Sequence, residues 1–312
     1  MNMAAPKPRR VASNLERVLA SNALAVTAEI APNASGSPEQ VRSHARALRT
    51  FVDACNVTDN QRAQVKISSL AAAALLLKEG LEPVMQLVTR DRNRIALQSD
   101  LLGAHALGVR NVLCLSGDDP RSGNEPDATP VYEFTTERLL AAAKKMRDSA
   151  VLAGGAPVED PPNFLLGATA SPSAAELEEA VVNVRGKVDA GADFIQTQAT
   201  YDLEVFEEWM RLVRKEWLHE KVHILAGILP IKSVKMARFL DEKVPGISIP
   251  QSVMERLTKA SDAKSEGIRI ALDAIESLRR IDGVRGVHLM AVDWEDVVPT
   301  IVQKAGLYPR PI

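Results

Sequence analysis

Residues 174–198, AAELEEAVVNVRGKVDAGADFIQTQ, contain one complete helix-to-strand unit. Leu177 and Val181 lie one turn apart, as on the apolar face of an amphipathic helix, and the predicted helix covers Ala174–Ala190. An Ala-Gly pair then marks a tight turn, and the apolar run that follows predicts a strand over Phe194–Gln198. A helical period that gives way to a strand within a few residues is typical of α/β proteins.

The same unit recurs along the chain. Eight short runs rich in aliphatic and β-branched residues are predicted strands: Leu24–Ala31, Ala54–Thr58, Val84–Thr89, Asn111–Ser116, Phe164–Ala168, Phe194–Gln198, His223–Ile228 and Gly286–Val292. Predicted helices between them include Arg94–Gly108, Thr136–Leu152, Leu203–Trp217, Ser233–Glu242 and Glu266–Ile281. Eight alternating units predict the α/β class and a single (β/α)8 TIM barrel, because that number of parallel strands closes a barrel.

The other common α/β arrangement, a doubly wound open sheet, normally carries a glycine-rich phosphate loop after its first strand. Here Glu29-Ile30-Ala31-Pro32 occupies that place, and no G-x-G-x-x-G motif occurs in the chain, so the barrel is favoured. No Pro- or Ser-rich linker divides the sequence. We therefore expect a flexible N-terminal segment, residues 1–13, followed by one catalytic barrel domain, residues 14–312.

Composition excludes several classes of protein. The 38 Lys and Arg against 40 Asp and Glu leave a net charge of -2, so we expect no nucleic-acid partner. No apolar run reaches the roughly 18 residues that a membrane span needs, and no signal peptide is recognised, so we expect a cytoplasmic protein without a membrane partner. Cys55 and Cys114 each lie in an apolar run, so we expect neither a disulfide nor a metal site.

Carboxylates at strand ends are the first candidates for chemistry, because barrel active sites form where strands end. Glu29 ends the first strand in an apolar setting that would favour the protonated carboxyl a general acid needs. Asp118 follows the fourth strand after Gly117, which lets a flat ligand approach the backbone. The alternatives are a rim salt bridge or helix cap for Glu29 and an ordinary turn residue for Asp118.

Amide and hydroxyl side chains join these carboxylates. Gln196 and Gln198 alternate along the sixth strand and therefore face the interior together, although a purely structural hydrogen-bond network is the alternative for Gln198. Thr58 ends the second strand, and Gln86 lies on the third, ahead of Thr89-Arg90-Asp91-Arg92-Asn93. The two arginines of that run either meet a phosphate or belong to a solvated charged loop.

Six short motifs stand in the order and spacing of one known family. They are Thr27-Ala28-Glu29, Asn56-Val57-Thr58, Ser116-Gly117-Asp118, Lys187-Val188-Asp189-Ala190-Gly191-Ala192, Thr197-Gln198 and Gly227-Ile228-Leu229-Pro230. From about residue 14 to residue 307 the chain resembles the methylenetetrahydrofolate reductases. The resemblance implies a (β/α)8 barrel with a flavin, usually FAD, that takes a hydride from NADH or NADPH and interconverts 5,10-methylene- and 5-methyltetrahydrofolate.

The resemblance also implies roles for single residues. Glu29 corresponds to the general acid that protonates the folate, so that the five-membered ring opens to a reactive iminium. Asp118 corresponds to a carboxylate that contacts the pterin beside the flavin, and Gln198 to an amide that orients the substrate. Lys187 would meet the phosphate or ribityl chain of the flavin, unless it is an exposed helix lysine. The implied flavin contacts are Thr58, Gln86, Ser116, Gly117, Asp118, Tyr132, Ala168 and Lys187.

Several positions depart from the family pattern. Gln86 stands where many members have His, Ser116 where they have Arg, and Trp294 where they have Arg near the last strand. The segment Gly167-Ala168-Thr169-Ala170-Ser171-Pro172 replaces a Tyr-x-x-x-His region. The sequence therefore leaves FAD, FMN and no flavin open. It also leaves open direct hydride transfer from the nicotinamide nucleotide, a folate-binding subunit that receives electrons from a partner subunit, and a homo-oligomer.

Overall fold

A computed structural model describes residues 12–21, 23–172, 176–244 and 246–311. In these residues eight parallel strands form one closed barrel in chain order, in which the last strand pairs with the first. The predicted (β/α)8 TIM barrel is confirmed. The strands are β1 (Ala25–Ile30), β2 (Ala54–Val57), β3 (Pro83–Val88), β4 (Asn111–Leu115), β5 (Leu165–Ala170), β6 (Phe194–Ala199), β7 (His223–Ile228) and β8 (Val284–Leu289).

Strand ends differ from the prediction by at most three residues. β7 has the predicted bounds, whereas β8 covers Val284–Leu289 instead of Gly286–Val292, and β5 covers Leu165–Ala170 instead of Phe164–Ala168. The apolar run of the last strand continues beyond its hydrogen-bonded part, and Ala291 is buried although it lies outside the strand. The apolar pattern there therefore marks buried residues, whereas the backbone hydrogen bonds of the strand end earlier.

Helices surround the barrel and fill the connections between its strands. In the described residues they are α1 (Asn14–Leu19), α2 (Glu39–Leu48), α3 (Ser69–Lys78), α4 (Arg94–Ala106), α5 (Thr136–Ser149), α6 (Leu177–Ala190), α7 (Leu203–Lys215), α8 (Val234–Lys243), α9 (Gln251–Lys259), α10 (Ala263–Leu278) and α11 (Val298–Lys304). Each predicted helix is present with shifted ends. Residues 174–175, at the start of the predicted helix Ala174–Ala190, lie outside the described residues, as do residues 1–11 of the predicted flexible segment.

Helix α1 closes the amino-terminal end of the barrel. Its Leu15, Val18 and Leu19 are buried against the first inward layer of strand residues, which includes Phe194. Glu82, just before β3, accepts the backbone N–H groups of Asn14 at 2.6 Å and of Leu15 at 2.9 Å, two of the donors that a helix start leaves without an internal partner. The closed end leaves the carboxyl end of the barrel open for a ligand.

Candidate active site

A cavity of about 700 Å³ opens at the carboxyl ends of the strands. This volume lies within the range of small-molecule sites. The cavity is where a parallel barrel places its catalytic groups, because each strand delivers its last inward side chain to this end. Seven of the predicted site residues line it together: Glu29, Gln86, Ser116, Gly117, Asp118, Lys187 and Gln198.

Three predicted flavin contacts do not line the cavity. Thr58 is 2% exposed, and its hydroxyl lies buried without a hydrogen-bond partner among the described residues. Ala168 is fully buried in the core. Tyr132 is exposed, and its hydroxyl donates a long hydrogen bond of 3.4 Å to the carbonyl of Gly117. Thr58 and Ala168 are thus buried away from a ligand in this cavity, whereas Tyr132 lies exposed beside the cavity residue Gly117.

Glu29 is held asymmetrically. Its side chain is 11% exposed, and its Oε2 accepts the amide N–H of Gln86 at 2.9 Å. The Nε2 atom of His288 lies 3.9 Å from the same oxygen. No described residue bonds Oε1, so this oxygen is available on the cavity side. A carboxyl with one oxygen anchored and the other available can donate a proton in a fixed direction.

A fully buried polar layer lies beneath Glu29. The amides of Asn56 and Gln196 bond reciprocally, at 2.7 Å and 3.1 Å. Gln196 Nε2 also lies 3.2 Å from the Thr27 hydroxyl, which in turn lies 2.9 Å from Nδ1 of His288. All four side chains are at most 3% exposed. Their mutual hydrogen bonds remove most of the cost of burying polar groups and make the floor of the cavity rigid.

Sequence reasoning placed Gln196 in the interior but missed Asn56 and His288. The pairing register of neighbouring strands is the information that places these two residues. Asn56 is the register partner of Glu29, and His288 is the register partner of Thr27. A register for the predicted strands would have placed Asn56 beside the predicted acid Glu29 and His288 beside Thr27, two residues before that acid.

Asp118 lies on an exposed loop that the protein holds in place. Its Oδ2 accepts the backbone N–H of Arg62 at 2.7 Å, and its carbonyl accepts a bond from Arg90 at 3.1 Å. Gly117 has a φ of +89°, and a β-carbon there would lie 3.2 Å from the Arg90 and Val88 side chains. The glycine is therefore required by the turn itself and by the close approach of Arg90.

The two arginines of the predicted phosphate-binding or charged loop are both engaged inside the protein. Arg90 bonds both carboxylate oxygens of Asp91, and Arg92 bonds both oxygens of Asp59. Burial alone raises the pKa of Asp91, but the hydrogen bond from Arg90 helps to lower it overall. Arg92 also pairs with Asp100. These ion pairs hold the loop in place. Neither guanidinium is free to bind a phosphate, which was the alternative role for this run.

Lys187 is a buried helix lysine, so the alternative of an exposed lysine is wrong. It is 8% exposed, and its Nζ donates to the carbonyl of Thr169 and to Asn183 Oδ1, both at 2.6 Å. Burial lowers the pKa of Lys187. Among the cavity-lining residues that the structure describes, it is the cation not paired with a carboxylate, and Glu176 and Glu179 line the same cavity.

The lining of the cavity is compatible with a flavin. A flat ring system needs a partly apolar slot, and the wall offers Val88, Leu113, Leu115, Ala170, Ala180 and Met290. Lys187 is the group that would meet a phosphate or ribityl oxygen, through the third hydrogen of its ammonium. The residues thus fit a flavin ring with one cationic contact.

A second cavity, of about 730 Å³, lies at the amino-terminal end of the barrel. It is lined in part by His219, Glu220 and His223. In the sequence these residues have the H-E-x-x-H spacing of zinc hydrolases. That spacing brings two histidines together only on a helix, whereas His219 lies in a 3-10 turn and His223 begins β7. Among the described residues no three His, Cys, Asp or Glu side chains are grouped to hold a metal.

The helices of the described ranges are all too short or too polar to cross a membrane. The fold itself resembles a solved structure from Clostridium thermocellum, a protein described as binding two copies of 5-methyl-5,6,7,8-tetrahydrofolic acid. The TM-score is 0.67 at 14% identity, covering 93% of this chain and 97% of the other. At that identity the likeness establishes the shared architecture.

Curated relatives carry a common name. The chain is 25% identical over 240 residues to methylenetetrahydrofolate reductase 1 of Schizosaccharomyces pombe, covering 73% of this chain and 36% of the relative. It is 25% identical over 238 residues to 5,10-methylenetetrahydrofolate reductase of Salmonella typhimurium, covering 74% and 73%. The chain thus spans about a third of the length of the fission-yeast relative. A family model described as methylenetetrahydrofolate reductase matches residues 14–306, and the chain therefore belongs to the methylenetetrahydrofolate reductase family.

Proposed function

We propose that this chain is an oxidoreductase that interconverts 5,10-methylene- and 5-methyltetrahydrofolate. One observation carries the proposal: the Glu29 carboxyl is anchored on Oε2 by Gln86, with Oε1 available in a cavity that Asp118 and Gln198 also line. A proton donor and two polar groups around one space match a reaction that needs a ring nitrogen protonated and a flat heterocycle oriented. The names of the relatives support the same reaction.

In the reductive direction, Glu29 donates the proton on Oε1 to a nitrogen of the five-membered folate ring. The bond between that nitrogen and the methylene carbon breaks, which leaves an iminium at the carbon. A hydride then adds to the carbon and completes the methyl group. The Gln86 amide stabilises the Glu29 carboxylate that remains, because it donates to Oε2.

Gln198 and Asp118 orient the folate. The Oε1 atom of Gln198 accepts the backbone N–H of Ala199 at 3.1 Å, while no described residue engages its Nε2. That N–H₂ group can therefore donate to an acceptor of the pterin or its linker. Asp118, held through its loop, presents a carboxylate that can accept from pterin N–H groups.

The hydride source in this proposal is NADH or NADPH, with a flavin, FAD or FMN, between nucleotide and folate. When bound, the flavin would accept the hydride from the nicotinamide and deliver it to the iminium carbon. Lys187 would hold its phosphate or ribityl chain, and the apolar wall its ring. The proposal includes one catalytic domain over residues 14–312 and a cytoplasmic location, where the buried thiols of Cys55 and Cys114 remain reduced.

A visible absorption spectrum of the purified protein, followed by anaerobic addition of 5-methyltetrahydrofolate, tests this proposal. A flavin spectrum that bleaches on addition supports both the cofactor and the folate as hydride donor. A flavin spectrum unchanged by the folate, in a protein that also fails to turn over methylenetetrahydrofolate with NADH or NADPH, would contradict the proposed reaction.

A second candidate keeps the folate chemistry and omits the flavin. Gln86 and Ser116, which stand where many relatives offer His and Arg to a flavin, are engaged within the protein: Gln86 bonds Glu29, and Ser116 Oγ lies 3.0 Å from Thr136 Oγ1. Glu176 and Glu179 add negative charge beside the one unpaired cation of the described wall. A colourless protein that oxidises NADH only when methylenetetrahydrofolate is present would select direct hydride transfer. Activity only with a partner subunit would select the folate-binding subunit.

A further inference from the structure

His288 has a fixed protonation pattern that the reaction scheme above does not use. It lies on β8, is 3% exposed, and reaches from the buried polar layer toward Glu29. Its two ring nitrogens face different partners: Nδ1 faces Thr27 and Gln196, and Nε2 faces Glu29. The nitrogen that carries the hydrogen therefore decides whether Nε2 presents an N–H group or a lone pair to Glu29.

The hydrogen-bond order of the buried layer determines the tautomer. Gln196 gives one amide hydrogen to Asn56 Oδ1 at 3.1 Å, and its other hydrogen faces both the Thr27 hydroxyl oxygen at 3.2 Å and Nδ1 of His288 at 3.3 Å. The Thr27 hydroxyl, already an acceptor, is free to donate to Nδ1 of His288 at 2.9 Å. Nδ1 is then the acceptor, and the neutral ring carries its hydrogen on Nε2.

The Nε2–H group so placed points toward the anchored oxygen of Glu29. The separation of 3.9 Å is longer than a hydrogen bond, so with the protonated carboxyl the interaction is a weak one between two dipoles. It strengthens when Glu29 loses its proton, because negative charge then appears on Oε2 in a setting that is largely shielded from water. Gln86 and His288 therefore act on the same oxygen and leave Oε1 for the substrate.

We propose that His288 is a positioning residue for Glu29: its Nε2–H, held in place by the Thr27 hydroxyl, stabilises the carboxylate that forms when Glu29 gives up its proton. This inference rests on the proposed function, in which Glu29 is the proton donor. It assigns a purpose to the whole buried layer, since Asn56 and Gln196 set the direction in which Thr27 donates.

The other titratable groups near this pair do not take over that role. Among the described residues, Glu29 interacts electrostatically with the thiol of Cys55, on β2. Burial raises the pKa of Cys55 well above its usual value, and Glu29 and Glu295 raise it further, so the thiol stays neutral. Glu295 follows β8, and burial raises its pKa as well. Gln86, on β3, is uncharged. Among the described titratable neighbours, His288 is thus the one whose donor hydrogen faces the carboxyl, beside the amide donor of Gln86.

The first test reads the tautomer without any activity. In protein labelled with nitrogen-15 at histidine, we expect the His288 nitrogen shifts of a neutral ring with hydrogen on Nε2, and in Thr27→Val a loss of that clear preference. A ring with hydrogen on Nδ1 in the unaltered protein would overturn the inference. This measurement stands even if the chain fails to turn over folate, which would count against the proposed function instead.

The second test compares His288→Gln, which keeps an N–H donor, with His288→Leu, which has none. For Leu we expect kcat to fall about tenfold, because the carboxylate formed at Glu29 loses one of its two stabilising N–H groups. We also expect the alkaline limb of its pH–rate profile to move up by about one unit, because a less stabilised carboxylate holds its proton to higher pH. The His288→Gln variant should restore most of the lost kcat and most of the position of the alkaline limb. KM should stay nearly constant in both variants.

Equal loss in both variants with an unmoved pH limb would show a packing role and overturn the inference. Thermal unfolding of both variants accompanies the kinetics. If His288→Leu does not fold, Thr27→Val provides the same comparison, since it removes the hydroxyl that orients the ring and leaves the ring in place. An unchanged pH limb in Thr27→Val would then contradict the inference.

Discussion

The two ends of the barrel each carry a cavity, of about 700 Å³ at the carboxyl ends of the strands and about 730 Å³ at the amino ends. Their side chains are engaged differently. At the amino end, Arg285 donates to the carbonyl of Leu19 and Arg279 to that of Ala305. At the carboxyl end, Glu29 Oε1 and Gln198 Nε2 have no hydrogen-bond partner among the described residues. Volume does not separate a site from a packing gap, whereas unused donors and acceptors do.

The same contrast holds for charge. At the amino end, the guanidinium of Arg310 bonds both oxygens of Asp53, whose side chain is fully buried and also accepts the N–H of Val26. At the carboxyl end, Glu29 is bonded by the neutral amide of Gln86 and lies 3.9 Å from the ring of His288. One end uses an ion pair to fix the chain, and the other holds the carboxyl that we propose as the proton donor. Four substitutions test this contrast between the two ends of the barrel.

The largest effect is expected at the carboxyl end from Glu29→Gln. The amide can still accept from Gln86 but cannot supply a proton, so folate turnover should fall by about 10²–10⁴-fold with little change in stability. Steady-state kinetics and thermal unfolding measure both. The matched control is Glu39→Gln, on α2, whose side chain is 64% exposed and which should behave like the unaltered protein. Turnover retained within tenfold would remove Glu29 from its role.

At the amino end, Arg310→Met should act on stability alone. It leaves the Asp53 carboxylate buried without its partner, which should reduce the free energy of unfolding by about 3 kcal/mol. Urea unfolding gives this value, and kcat per folded molecule should stay constant. Arg211→Met, which breaks a pair of exposed side chains on α7, is the control and should cost less than about 0.5 kcal/mol. A fall in kcat for Arg310→Met would contradict the expectation that this substitution acts on stability alone.

Gln198→Ala tests the free amide of the cavity. Loss of one N–H donor to the folate should raise KM or Kd by about tenfold while the free energy of unfolding changes little, since its Nε2 bonds no described residue. Folate titration by fluorescence measures the affinity. Gln251→Ala, on exposed α9 surface, should leave binding unchanged. An unaltered folate affinity would assign Gln198 to the structural network instead.

Lys187→Met should give the smallest effect, visible as a pH dependence. Burial places the folded-state pKa of Lys187 below its usual value, so the unfolded chain binds the proton more readily. Unaltered protein should therefore gain stability relative to Lys187→Met as pH rises through the lowered pKa toward 10.5. Urea unfolding between pH 7 and 10 measures the difference. The control, the exposed Lys235→Met, should show no such trend, and a constant Lys187→Met difference would contradict the assignment.

Much of the candidate site can be predicted from the sequence. Glu29, Asp118 and Gln198 stand at predicted strand ends, and barrel closure alone brings such positions to one rim. The flavin contacts were less readable. Thr58 and Ala168 belong to the family pattern, yet their strands bury them away from the cavity. A motif shows which strand a residue lies on but not which side of the strand its side chain occupies.

Local sequence patterns predict the regular elements. The alternation of apolar runs and amphipathic stretches, repeated eight times, was sufficient for the strands, the helices and the closed barrel, because each period is set by neighbouring residues. Which polar groups already have protein partners depends on the folded arrangement of distant residues. Thr27 and His288 bond across 261 positions of sequence because β8 closes against β1. Arg90, Arg92 and Lys187 find protein partners that no local pattern reveals, since hydrogen bonding between distant residues depends on where the folded chain places them.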